Sequence, residues 1–160
     1  MCEIKPGKKI NSQSGFSLIE LIIVVLVIAI LAMLALPSIQ RTMQLYRLET
    51  GTSFIAHRLT EARLTAIKRN RGSWLEIDEA NRAFTLKSTN DAGQQISLGF
   101  PTYLPDGIQF AGTPPKSVVF TSLGRNGANG NTQIKLRLKA GNRDKTINVG
   151  ATGNITTTNF

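Results

Sequence analysis

The chain has 160 residues, 19 Lys and Arg against 10 Asp and Glu, and a formal net charge of +9, which allows one modest domain plus an anchor. Its single cysteine, Cys2, precedes the apolar run and so is not a lipid-anchoring cysteine; with no other thiol, a disulfide, an iron–sulfur site and thiol catalysis are all excluded. The first 40 residues hold three lysines (Lys5, Lys8, Lys9) against two glutamates (Glu3, Glu20), so residues 41–160 carry +8, a balance that either keeps a domain soluble or meets an acidic surface such as DNA, lipopolysaccharide, anionic lipid or an acidic protein.

The first element in the chain is a basic leader followed by 16 consecutive apolar residues, Leu21 to Leu36. Phe16 to Leu36 is 21 residues, about 31 Å as a helix at ~1.5 Å per residue, enough to cross a bilayer. A secretory signal fits less well: the run is long, Glu20 sits at its front, and helical character continues past Pro37. The leader lysines favour a cytoplasmic N-terminus, although Arg41 and Arg47 on the other side weaken that bias. A carboxylate at the edge of such a run costs roughly 2–4 kcal/mol in lipid, so Glu20 calls for a partner.

Past Pro37, which can kink a helix without ending it, apolar or small residues recur at Leu48, Ile55, Leu59, Ala62 and Ala66 on one helical face. The pattern ends at "RNRGS", residues 69–73, with Gly72 the expected cap. The expected helix therefore covers 16–71. From Trp74 the period changes to short segments separated by turn residues. "WLEID" and "AFTLKS" flank "EANR" as a hairpin; "QISLGF", "LPDGIQF", "KSVVFTS", "TQIKLRLK", "KTINV" and "NITTT" are further strand candidates, and "GRNGANGN", residues 124–131, reads as a hairpin loop. The expected fold class is α+β: a long N-terminal helix whose C-terminal half packs on a small antiparallel β-sheet domain.

The order Gly15, Phe16, then Glu20 four residues on, then an unbroken apolar helix containing Pro37, resembles the class III signal of type IV pilins and type II secretion pseudopilins. That resemblance implies a leader (1–15) removed by prepilin peptidase between Gly15 and Phe16, methylation of the new amine, a transmembrane and filament-core helix (16–40), and a periplasmic domain (41–160, helix 41–71 and β region 74–160). It also implies a partner for Glu20: the N-terminal amine of a neighbouring subunit, a pairing that would set axial register. The all-β remainder, without a C-terminal cysteine pair, is similar to the FimT/GspH group of minor pilins and minor pseudopilins. "VVFTSLGRNGANGNTQIKLRLKAGNRDKTINVGATGNI" follows that group's outline of a phenylalanine strand, a glycine turn, two alternating strands and a Gly-containing hairpin.

The implied role is a minor type IV pilin that helps prime or cap assembly, in the inner membrane and then in a pilus or pseudopilus, with other pilins or pseudopilins as partners. Two alternatives stand beside it: a pilus-borne DNA-binding pilin for natural transformation, and minor pseudopilin H of type II secretion. No enzyme, metal or cofactor is expected. His57 is the only histidine and lies on the helix; Glu76 and Asp78 read as a solvated strand edge; "GRNGANG" lacks the Gly-Lys-Ser/Thr of a phosphate loop.

Candidate nucleic-acid contacts are the cluster Lys68, Arg69 and Arg71, the alternating face Lys135, Arg137 and Lys139, and Arg143 with Lys145 in the following turn. Such a stripe tracks phosphates or simply solvates an amphipathic strand, and aromatics that would stack bases are sparse beside it. Some FimT-like proteins are implicated in DNA uptake through a C-terminal Gly-Arg-x-Arg stretch. The matching hairpin here reads Gly153-Asn154-Ile155-Thr156, without either arginine, so that role does not carry across residue by residue.

Overall fold

The computed structural model describes residues 16–139, 141 and 143–159, and for Ala35, Leu36, Pro37 and Asn159 the backbone only. Gly15 and the leader lie outside the described residues. The chain divides after Gln40 into two compact units.

In the first unit, Phe16 and Ser17 precede the start of helix α1 (Leu18–Arg69). The expected helix is thus two residues shorter at each end. α1 continues through position 37, where proline removes one donor from the ladder. The apolar side chains from Leu18 to Leu34 are exposed, and an 18-residue window of α1 has a mean hydropathy of 3.2, so the segment is long and apolar enough to cross a membrane.

In the second unit, α1 buries Leu48, Thr52, Ile55, Leu59, Ala62 and Ala66, a spacing of alternating four and three residues that keeps one stripe facing inward. Fully burying each leucine or isoleucine of this stripe contributes about 1.5–3 kcal/mol. The helix ends in a Schellman motif: the Arg71 amide donates to Ala66 O (3.0 Å), the Asn70 amide donates to Ile67 O (3.2 Å), and Asn70 takes φ +51°. The cap is Asn70 and not Gly72, because the last carbonyls are satisfied two residues earlier than the glycine.

Nine strands follow: β1 (Ser73–Asp78), β2 (Ala83–Thr89), β3 (Gln95–Ser97), β4 (Thr102–Tyr103), β5 (Ile108–Phe110), β6 (Ser117–Phe120), β7 (Thr132–Leu138), β8 (Asp144–Val149) and β9 (Ile155–Asn159). They form two antiparallel sheets and not one. The first runs β3-β2-β1-β6 with β4 also on β2; the second runs β5-β7-β8-β9. Leu75, Phe84 and Leu86 of the first sheet and Ile134, Leu136, Ile147 and Val149 of the second join the α1 stripe in one core. The β1–β2 hairpin turns through 79–82, where the Asp78 carboxylate accepts from the Asn81 side chain (2.7 Å) and amide (3.1 Å).

The segment 124–131 is not a hairpin loop. β6 and β7 lie in different sheets, so it is a crossover. Asn126, almost fully buried, holds it: Nδ2 donates to Gly130 O, Thr132 Oγ1 and Val149 O, and Oδ1 accepts from the Ala128 amide.

Candidate functional site

Two surfaces carry the residues singled out in the sequence. At the start of α1, Phe16 is exposed and Glu20 lies exposed in the first helical turn, where the Leu21 amide bonds Ser17 O. A carboxylate there is favoured by the unsatisfied amides of the helix N-terminus. Among the described residues nothing covers the apolar side chains beside it, which is the condition of a segment meant for lipid or for other helices.

The second surface is the outward face of β7. Alternation places Ile134, Leu136 and Leu138 in the core and leaves Lys135, Arg137 and Lys139 exposed. The rest of the expected basic stripe is divided by strand register. Arg137 lies opposite Asp144 and forms a bidentate pair with it, Nε and Nη2 each 2.7 Å from a carboxylate oxygen. Lys145 lies opposite Leu136, so its side chain turns to the core side of the sheet, where its ammonium meets the Glu49 carboxylate of α1. Lys145 is therefore not part of the outward stripe, because one residue of register reverses the face.

The other cluster sits at the end of α1, beside the first sheet. Lys68 and Arg69 are exposed in the last helical turn, where cations favour the helix C-terminus. Arg71 pairs with Asp91 (2.5 Å) across a recess of about 300 Å³ that Arg69 also lines.

Hydrogen bonds from Arg137 hold the Asp144 carboxyl below the usual carboxylate range, partly offset by desolvation and assisted by the charges of Arg137 and Lys135. The same bonds raise the Arg137 guanidinium. A carboxylate whose pKa is depressed on folding adds stability above its unfolded value, about 3.9, and loses that stability as pH falls through the folded value. The pair is exposed, so its contribution is small. Between pH 5 and 8 it is intact and Arg137 stays engaged. In an NMR titration the Asp144 midpoint is expected below the usual carboxylate range and is expected to rise in Arg137→Ala. An unchanged midpoint in the variant would refute the pairing.

The side chains weighed for chemistry have these places among the described residues. His57 is exposed on α1. Glu76 pairs with Lys87, and Asp78 caps its turn through Asn81. These two carboxylates and Glu79 line an open cleft of about 630 Å³ with Tyr103 and Lys116. Among the described residues, no group of three or more His, Cys, Asp or Glu is placed to share a metal ion.

Sequence reasoning missed Arg41 as a site residue. The second unit brings it to a recess that also holds Arg143, a residue 102 positions away, and no local pattern signals that meeting.

Residues 10–36 match the prokaryotic N-terminal methylation motif. The fold matches the minor pseudopilin EpsH of the type 2 secretion system of Vibrio cholerae, with TM-score 0.56 and 15% identity over 71% of this chain and 97% of that one. It also matches the type IV minor pilin FimU of Pseudomonas aeruginosa, with TM-score 0.58 and 10% identity over 69% of this chain and 87% of that one. The chain joins a pilin-like fold to a prokaryotic N-terminal methylation motif. No curated protein sequence matches it. The α+β class expected from the sequence is the one observed, and the apolar helix behind a pilin-type motif marks a membrane-anchored chain.

Proposed function

We propose that this protein is a minor type IV pilin, a structural subunit that helps prime or cap a filament after prepilin peptidase cuts between Gly15 and Phe16. The observation that carries the reading is Glu20, four residues after Phe16, in the first turn of an uncovered apolar helix that leads into a pilin-like domain. In the membrane the leader lysines hold the N-terminus on the cytoplasmic side and the β domain lies in the periplasm. On entry into a filament, the Phe16 amine of one subunit and the Glu20 carboxylate of its neighbour form a pair shielded from water. Such a pair tolerates burial only when complete, so it selects one axial register. The partners are other pilins, and the role is structural and not enzymatic.

Removing one member of a buried pair costs about 3–5 kcal/mol. Glu20→Ala is therefore expected to lower incorporation into sheared filaments at least tenfold while leaving processing and membrane insertion intact. Full incorporation of the variant would sink the register role. The likeness to EpsH keeps a pseudopilus in view, and deletion separates the cases: loss of pili with normal protein export supports the pilus, and lost export with normal pili assigns the chain to a secretion pseudopilus.

A further inference from the structure

Some cations of the second unit have carboxylate partners and others do not. Arg137, Arg71 and Lys145 each have a carboxylate partner. Among the described residues Arg41 and Arg143 have none, and they line the same recess of about 270 Å³, with Gln44, Leu45, Leu138 and Gly141 completing it. Arg41 comes from α1. Arg143 comes from the β7–β8 turn, held there by its own carbonyl, which accepts from the Leu138 amide (3.3 Å). A recess lined by two arginines and two leucines suits a ligand with a phosphate at one end and hydrocarbon at the other.

The position along the chain says where that ligand comes from. Arg41 follows Leu36, the last residue of the apolar run, by five residues, so the covalent chain keeps it within about 18 Å of the end of that run in any conformation. The polar headgroup layer extends about 5–7 Å beyond the hydrocarbon core on each side of a bilayer. The chain therefore tethers Arg41 close to the headgroups, and Arg143 shares its recess.

We propose that the Arg41–Arg143 recess binds the phosphate headgroup of an anionic phospholipid and so docks the domain on the bilayer before the subunit is extracted into a filament. The inference rests on the membrane-anchored reading of α1 and is independent of the filament role. Double-stranded DNA is the competing polyanion. It is less favoured because its phosphates would have to reach a recess at the membrane surface, while the lipid phosphate is already there.

The test uses the full chain in nanodiscs of phosphatidylcholine alone and of phosphatidylcholine with about one-third phosphatidylglycerol. Hydrogen exchange is followed in the peptide spanning Leu138 and Arg143. Each arginine at an anionic surface shifts the docked population about fivefold, so exchange is expected to slow at least fivefold in the phosphatidylglycerol discs. Arg41→Gln/Arg143→Gln, both at exposed positions, is expected to remove the slowing. Lys68→Gln/Arg69→Gln, at the far end of α1, is expected to keep it.

Equal exchange in both discs overturns the inference alone, and so does slowing that survives in the Arg41/Arg143 variant. Slowing in phosphatidylcholine discs on adding inorganic phosphate, or on adding duplex DNA, overturns the assignment to lipid. A chain that enters neither disc overturns the anchor reading and this inference together.

Discussion

Gly153→Ala is expected to destabilise the second unit by about 3 kcal/mol or more, a fall in Tm on the order of 10 °C in a circular dichroism melt of the full chain. Gly153 is buried in the β8–β9 turn with φ +82°. A side chain in the left-handed region costs roughly 1–2 kcal/mol by itself. A β-carbon at this position would also fall on the Gly124 carbonyl oxygen and lie 3.0 Å from Arg63 Nε. That carbonyl already accepts from Arg63 Nε (3.0 Å), so the final hairpin, the crossover and α1 meet at one point. The obstacle is backbone and cannot rotate away, so the turn must lift from the crossover. Gly112→Ala separates the two costs. Its φ is +72° with nothing within 4 Å of the added carbon, so it is expected to lose only about 1–2 kcal/mol. Equal losses in the two variants would show that the close approach is unimportant.

The second large effect is expected at Asn126. Its amide nitrogen donates to Gly130 O and Thr132 Oγ1 at 2.9 Å each and to Val149 O at 3.3 Å, sharing two hydrogens among three acceptors. Its carbonyl oxygen accepts from the Ala128 amide at 3.1 Å, and its backbone amide donates to Ala151 O. A backbone bridge to Phe120 ties the same residue to the first sheet. Asn126→Ala removes the side-chain bonds from a site with little access to water. At roughly 1 kcal/mol per bond, plus the cost of acceptors left short, the expected loss is about 3 kcal/mol. Asn126→Asp keeps the shape but points a carboxylate at acceptors, and is expected to be at least as damaging at pH 7. Both are read in the same melts. A tolerated aspartate would show that the donors are not what holds the crossover.

Neither residue stood out in the sequence as a structural centre. "GRNGANGN" reads as a loop because glycine and asparagine favour turns, and that much is correct. Its glycines and asparagine look interchangeable as letters; only Asn126 faces inward to meet three acceptors, and the acceptor from β8 lies 23 residues on. The basic residues show the same division. The alternation of "TQIKLRLK" correctly separates core from surface, since neighbouring side chains on a strand take opposite faces. Whether an exposed cation is available depends on what stands opposite. Arg137 faces Asp144 and is engaged, whereas Lys145 sits across from Leu136 and is drawn to Glu49.

Local signals specify an apolar run long enough to span a bilayer, a glutamate four residues after Phe16, an inward stripe on the continuing helix, and alternating strands behind it. Each follows from the period of a single element. Folding adds what no single element signals: the strands form two sheets, Asn70 ends the helix, Asn126 joins the sheets, and Arg41 and Arg143 share a recess. The physical reason is that pairing register and the meeting of charges are set by contacts between residues far apart in the chain, where a shift of one position reverses every side chain on a strand.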